Sequence, residues 1–198
     1  MNFVTYQYGL FLAVVFFIYW KLNRTYQNCL LLFASYIFYA VWDWRFCSLI
    51  LLSTLVDYYV GKKIYYSEGK VLARRWLYLS LAVNLGLLFY FKYANFFLDS
   101  LFSMLEAVGY SGGRSTLEII LPVGISFYTF QSLSYSFDIY KKQLKPSHSL
   151  IEFAAFVSFF PQLVAGPIVR AKEFLYQIER ERKFNILNLE YGVQRFLW

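Results

Sequence analysis

Gln131, Ser134 and Asp138 recur at the spacing of one helical face inside an otherwise apolar stretch, and Thr129, Ser132 and Ser136 fall on roughly the opposite face. With Gly124 and Ser126 they give the apolar run between positions 122 and 140 an unusual number of small or polar side chains. A helix that is polar on two sides suits lipid poorly, so it is expected at the centre of a helix bundle. Two readings of its side chains stay open. Ser126, Ser134 and their neighbours can tie adjacent helices together, or, with Gln131, they can line a substrate path. Asp138, at the end of the run, is either a solvated interfacial group or a fixed partner for a buried cation.

A second group follows at 159–170, FFPQLVAGPIVR. Gln162 needs hydrogen-bond partners in that setting, and Pro161 and the Gly166-Pro167 pair break the helix and expose carbonyls that need them too. Together they can make a narrow polar throat. Arg170 can snorkel to lipid phosphates, bind an anionic substrate group, or pair with a carboxylate such as Asp138.

No complete catalytic centre accompanies these residues. The sole histidine, His148, stands in the polar loop Lys145-Pro146-Ser147-His148-Ser149 and reads as a surface group. There is no nucleophile elbow, no phosphate loop and no metal-ligand cluster. Cys29 and Cys47 lack C-x-x-C spacing and read as buried free thiols.

The elements that must position these groups are membrane helices. A chain that is 59% hydrophobic and 16% charged has more apolar surface than a water-soluble core of 198 residues can hide. The apolar residues fall in nearly uncharged runs of roughly fifteen to twenty, the length a bilayer demands. Tyr6, Tyr8, Trp20, Trp42, Trp44 and Trp76 sit at run ends, where headgroups favour them. Spans are expected at about 3–22, 29–41, 46–60, 76–97 and 117–140, with a further apolar segment at 150–169. The second and third, separated by Trp42-Asp43-Trp44-Arg45, are expected to form a hairpin.

Charge sets the orientation. The net charge of +7 is spread over short connections rather than one patch, which argues against a nucleic-acid partner and for cytoplasmic loops. Lys21 and Arg24, then Lys62, Lys63, Lys70, Arg74 and Arg75, then Lys141, Lys142 and Lys145 are expected inside, with the amino terminus outside. No basic residue precedes the first run and no small-residue cleavage site follows it, so that run is expected to remain as a span. A full crossing at 150–169 would put Arg170, Lys172, Arg180, Arg182 and Lys183 outside. The segment is therefore expected to be re-entrant, and broken backbone at membrane depth must be buried in protein or line a wet cavity. Beyond it, Phe174, Leu175 and Ile178 give an amphipathic helix at about 171–183, either lying in the interface or packed on the protein. The fold class is all-α: a polytopic transmembrane helical bundle with a re-entrant segment.

The stretches 121–135 (LPVGISFYTFQSLSY), Asp138-Ile139-Tyr140 and 159–170, with 52–58 (LSTLVDY) and the 35–45 hairpin, closely resemble the membrane-bound O-acyltransferase family, and within it the bacterial alginate O-acetylation type. The resemblance covers essentially the whole chain and implies that 1–198 is the amino-terminal part of a single transmembrane domain. It further implies transfer of an acyl group, here acetyl, from a cytoplasmic donor such as acetyl-CoA to a hydroxyl of an exported polysaccharide. No bound cofactor is expected; the partners are the bilayer of the bacterial inner membrane and extracytoplasmic acyl-transfer proteins. Pro161, Gln162, Gly166, Pro167 and Arg170 match the motif near the reaction tunnel and take a tunnel-lining role. The catalytic His is expected beyond Trp198, so this segment alone is expected to be inactive. Rival readings are the related D-alanyl transferase of teichoic acid modification, whose throat pattern differs, a membrane transporter, and a non-catalytic membrane scaffold.

Overall fold

The computed structural model describes residues 6–109, 119–163 and 169–197. Among these it contains helices and no strand: α1 (Tyr6–Tyr19), α2 (Arg24–Asp43), a 3-10 turn (Trp44–Phe46), α3 (Cys47–Tyr66), α4 (Lys70–Ala107), α5 (Ile125–Tyr140), α6 (Leu150–Val157), α7 (Phe160–Leu163), α8 (Ala171–Ile178) and α9 (Ile186–Leu197). The α2–α3 segment and α4 are long and apolar enough to cross a membrane. Large side chains such as Phe33, Phe89 and Phe96 point outward, as lipid rather than water would favour. The architecture is that of a membrane helix bundle.

Local chemistry fixes the ends. Asn23 starts α2 by accepting the Tyr26 N–H at 3.2 Å, and Asp43 ends it by accepting the Arg45 N–H while pairing with the Arg45 guanidinium at 2.7 Å. Cys47 Sγ then lies 3.9 Å from the Tyr36 carbonyl. A continuous helix would hold those residues roughly 16 Å apart, so the chain turns back at the 3-10 turn. Ser149 and Glu152 open α6 with the spacing of a capping box, the Ser149 hydroxyl accepting the Glu152 N–H.

Two elements differ in extent from the apolar runs that mark them. The run at 76–97 lies within α4, whose 38 residues span roughly 57 Å at 1.5 Å per residue, well beyond a hydrocarbon core. Charge at Lys70, Arg74, Arg75 and Asp99 changes the helix's solvent without ending the helix. The run from 117 begins its helix only at Ile125, because Gly124 takes the left-handed conformation (φ 75°) just after Pro122. Cys29 and Cys47 are free thiols.

The core is a three-way packing of α3, α4 and α5, against which α6 and α8 are laid. A second cluster, Val15, Ala34, Phe38 and Phe160, fixes α1 and α7 to α2. Helices α3 and α5 meet at Gly61, where an added Cβ would lie 2.5 Å from the Tyr135 ring and 2.9 Å from Ile139 Cδ1. The Tyr135 ring cannot yield easily, since its hydroxyl accepts the Ser147 N–H at 3.1 Å and its face rests on Phe153 with centroids 4.3 Å apart. Gly86, in α4, has nothing within 4 Å. Gly61→Ala is therefore expected to lower the stability of the purified full-length protein by about 1–3 kcal/mol, an overpacking cost. Gly86→Ala is expected to leave it unchanged or raise it by up to about 1 kcal/mol. Thermal unfolding in detergent measures both, and equal midpoints for the two variants would contradict the close approach.

Candidate functional site

The polar groups of α5 and of the broken segment meet. Gln131, 3% exposed, donates from Nε2 to the Phe156 carbonyl (2.8 Å) and to Gln162 Oε1 (3.3 Å). Ser134 donates to the Gln131 carbonyl at 2.7 Å and accepts the Ala171 N–H at 3.3 Å, so it ties α5 to α8. The Phe160 N–H is taken by Ser35 of α2 at 3.2 Å. Leu163 closes over Gly124 so tightly that a Cβ there would stand 2.4 Å from the Leu163 carbonyl oxygen. Pro161 and Gln162 are half-buried, as is Ser126 in the first turn of α5. Gly166 and Pro167 lie outside the described residues.

Arg170 is exposed and immediately precedes α8. Because Ala171 bonds Ser134, well inside α5, Arg170 stands at the inner end of α8, roughly 12 Å from the far end of that helix. Leu175 and Ile178 of α8 are buried on α5 and α6. Asp138 is 8% exposed; it makes no ion pair among the described residues, and its Oδ2 has no hydrogen-bond partner there. Arg170 does not reach it.

A centre that the sequence did not single out lies deeper. Asp57 of α3 is 0% exposed and its carboxylate accepts four hydrogen bonds. Asn84 Nδ2 donates to Oδ2 at 2.7 Å and Ser136 Oγ to Oδ1 at 3.3 Å, while the Ser80 and Ser132 hydroxyls donate to Oδ1 and Oδ2. Ser53 in turn donates to Asn84 Oδ1 at 2.5 Å. No cation is paired with the carboxylate among the described residues. A polar group without a counter-ion is tolerable inside a bundle only when hydrogen bonds replace its hydration, and the partners here come from α4 and α5.

A third polar group sits at one end of the bundle. Asn28 of α2 donates to Glu152 Oε1 and to the Ile178 carbonyl, both at 3.3 Å, and accepts from Arg182 Nη2. Arg24 pairs with Glu152 at 3.4 Å and donates to the Glu179 carbonyl. Close by, Lys62 donates to Tyr58 Oη (2.7 Å), which donates to the His148 carbonyl (2.8 Å). The start of α6 and the end of α8 therefore share one asparagine, at the end that also holds the basic connections. Burial, reinforced by Glu152, raises the Glu179 carboxyl above its ordinary value, and burial lowers the Arg182 guanidinium below its own.

Chemically, the amides of Gln131 and Gln162 can hold a carbonyl or hydroxyl. No nucleophile stands beside a base here: the His148 side chain is exposed, and no group of three metal-ligating acids, His or Cys occurs among the described residues. Asp57 is structural by the same standard, since its four donors leave it no accessible face. Asp57→Asn would set amide hydrogens against hydroxyl and amide donors. It is expected to destabilise the full-length protein by about 1–3 kcal/mol, the cost of a buried polar group left without its partner. Ser136→Ala, which removes the longest of the four bonds, is expected to cost about 1 kcal/mol or less. Detergent unfolding midpoints compare the two, and an Asn variant as stable as the parent would remove Asp57 from its central place.

Known proteins resemble the chain along nearly its full length. It is 42% identical over 189 residues to the probable alginate O-acetylase AlgI of Pseudomonas aeruginosa, which covers 95% of this chain and 36% of that protein. It is 39% identical over 189 residues to its counterpart in Azotobacter vinelandii, covering 95% of this chain and 38% of the relative. With the peptidoglycan O-acetyltransferase of Helicobacter pylori the identity is 34% over 197 residues, covering 86% of this chain and 36% of the relative. The chain thus spans little more than a third of the length of the curated relatives it matches. No family model and no solved structure matches it. With O-acetylating relatives aligned over nearly the whole chain, and with the 121–135 and 159–170 stretches as they stand, the chain belongs to the membrane-bound O-acyltransferase family and is similar to its alginate O-acetylases.

Proposed function

We propose that the chain is part of a multi-pass enzyme that moves an acetyl group from a cytoplasmic donor, acetyl-CoA or a similar thioester, to a hydroxyl of a polysaccharide outside the cell. The observation that carries this reading is the likeness to relatives named for two acceptors, alginate and peptidoglycan, that share one transferred group. In such a step the hydroxyl oxygen attacks the thioester carbonyl, a base takes its proton and the thiolate leaves. The base, a His, belongs to the remainder of the protein, and extracytoplasmic proteins take part in handing the group on. This chain supplies the tunnel wall: Gln131, Pro161, Gln162, Gly166 and Pro167, with Arg170 at its inner rim.

The placement of Arg170 supports that role. Its backbone neighbour Ala171 is tied to Ser134 of α5, and an arginine at such a position suits an anionic group in transit. In cells lacking their own enzyme, full-length protein with Gln162→Leu or Arg170→Gln is expected to lose about tenfold or more of its transfer, as one polar contact to the reacting group implies, with membrane levels unchanged. Acetate released by mild base from the isolated polysaccharide measures this. Full acetylation in both variants would remove the throat from the reaction, and release of alanine in place of acetate would make the enzyme a D-alanyl transferase.

The topology proposed for this enzyme has the amino terminus outside, the inner membrane as its site, and 150–178 entering from the cytoplasm and returning to it. The shared contact of Asn28 with Glu152 and with the Ile178 carbonyl supports a segment whose two ends lie together. Single cysteines at Lys21, Lys141 and Lys183 in intact cells are expected to resist a membrane-impermeant thiol reagent added outside. Strong labelling at Lys183 alone would turn the segment into a full crossing.

A further inference from the structure

We propose that a groove between α1, α2 and α8 seats one acyl chain of an anionic membrane phospholipid, with the phosphate held at Arg182. The groove encloses a cavity of about 260 Å³. Its walls are apolar: Leu12, Val15 and Phe16 from α1, Leu31 from α2, and Phe160 and Phe174 from the two sides of the broken segment. Its one cation is Arg182, at the end where Tyr19 and Trp20 finish α1. The tunnel pair Gln131 and Gln162 does not line it, so the groove is separate from the throat, although Pro161 contributes to its wall.

The chemistry of the two ends selects the occupant. Arg182 is half-buried, its Nη2 is used by Asn28, its guanidinium lies 5.4 Å from the centre of the Tyr19 ring, and it makes no ion pair among the described residues. Its charge is therefore uncompensated by a direct carboxylate, and Lys21 and Arg24 follow α1 at the same end. Leu12, on the groove wall, is exposed, and so are Phe17 and Ile18 elsewhere on α1, so the helix that walls the groove also faces the surrounding lipid. A site apolar along its length and cationic at one end complements an amphiphile with one anionic head, and basic pockets between membrane helices on the cytoplasmic side bind such heads. Assignment to the inner leaflet rests on the topology proposed above; the groove and its chemistry do not.

The test uses full-length protein purified in mild detergent and titrated with dioleoyl phosphatidylglycerol or dioleoyl phosphatidylcholine, with bound lipid counted by native mass spectrometry. The parent is expected to retain the anionic lipid about tenfold better than the zwitterionic one, the worth of one charge-assisted contact. Arg182→Gln should abolish that preference. Leu12→Trp, at a position 40% exposed and so tolerant of bulk, should reduce retention of both lipids. Inorganic phosphate at millimolar concentration should displace neither. Equal retention in the parent and in Leu12→Trp would overturn the proposal and leave the groove to another part of the chain. Displacement by phosphate alone would also overturn it, as a site for a free anion. Polysaccharide acetylation is followed in parallel: its loss in the throat variants with lipid retention intact separates the failure of one reading from the failure of the other.

Discussion

The bundle depends on one buried carboxylate. Asp57 has no counter-ion among the described residues and no water-accessible surface, so its carboxyl oxygens are satisfied only while α4 supplies Ser80 and Asn84 and α5 supplies Ser132 and Ser136. Lipid offers helices no hydrophobic reason to associate, and apolar side chains are as content against acyl chains as against each other. A polar group that must be met by donors from two other helices supplies a reason, and it fixes rotation and register as well as proximity. Every other contact in the α3–α4–α5 core is made on terms set there, including the close passage of Gly61 under the Tyr135 ring about one turn of α3 away from bonds that leave little freedom to slide.

Helix α5 passes this constraint outward. One of its faces, Ser132 and Ser136, is spent on Asp57; the other, Gln131 and Ser134, receives the broken segment. The reading of α5 as a central helix with two polar faces came directly from spacing, and the structure explains why both faces are needed. Asp57 itself escaped notice because a lone acid in an apolar run carries no partner in its own neighbourhood, and its partners are 23 to 79 positions away. A signal was present all the same. Ser53 and Asp57, Ser80 and Asn84, and Ser132 and Ser136 are three polar pairs at four-residue spacing, one on each of three apolar helices. Each pair marks a polar stripe that lipid cannot satisfy, and three such stripes can only face one another.

Other features were illegible for a different reason. Apolar runs report where a helix touches lipid, whereas helix ends are decided by backbone: α4 runs past its apolar stretch at both ends because nothing there breaks it, and α5 starts late because Gly124 adopts a left-handed turn. The placement of Arg170 was hidden by the same limit. Basic residues at 170–183 look like one cytoplasmic cluster on a line, but α8 is a helix laid against α5 and α6, and it separates Arg170 from Arg182 by its own length.

The break between α6 and α7 shows how a throat can be polar and still be closed. When α6 stops at Val157, its last carbonyls lose their intrahelical donors, and in lipid such an orphan is costly. Gln131 takes the Phe156 carbonyl, Ser35 takes the Phe160 N–H, and the protein thereby satisfies the break with side chains from α5 and α2 rather than with water. What remains is the half-buried Gln162, whose Oε1 accepts from Gln131 while no described residue takes its amide hydrogens. Gln131 Nε2 is thereby held at two points, the Phe156 carbonyl and Gln162 Oε1, and it ties α5 to both sides of the break.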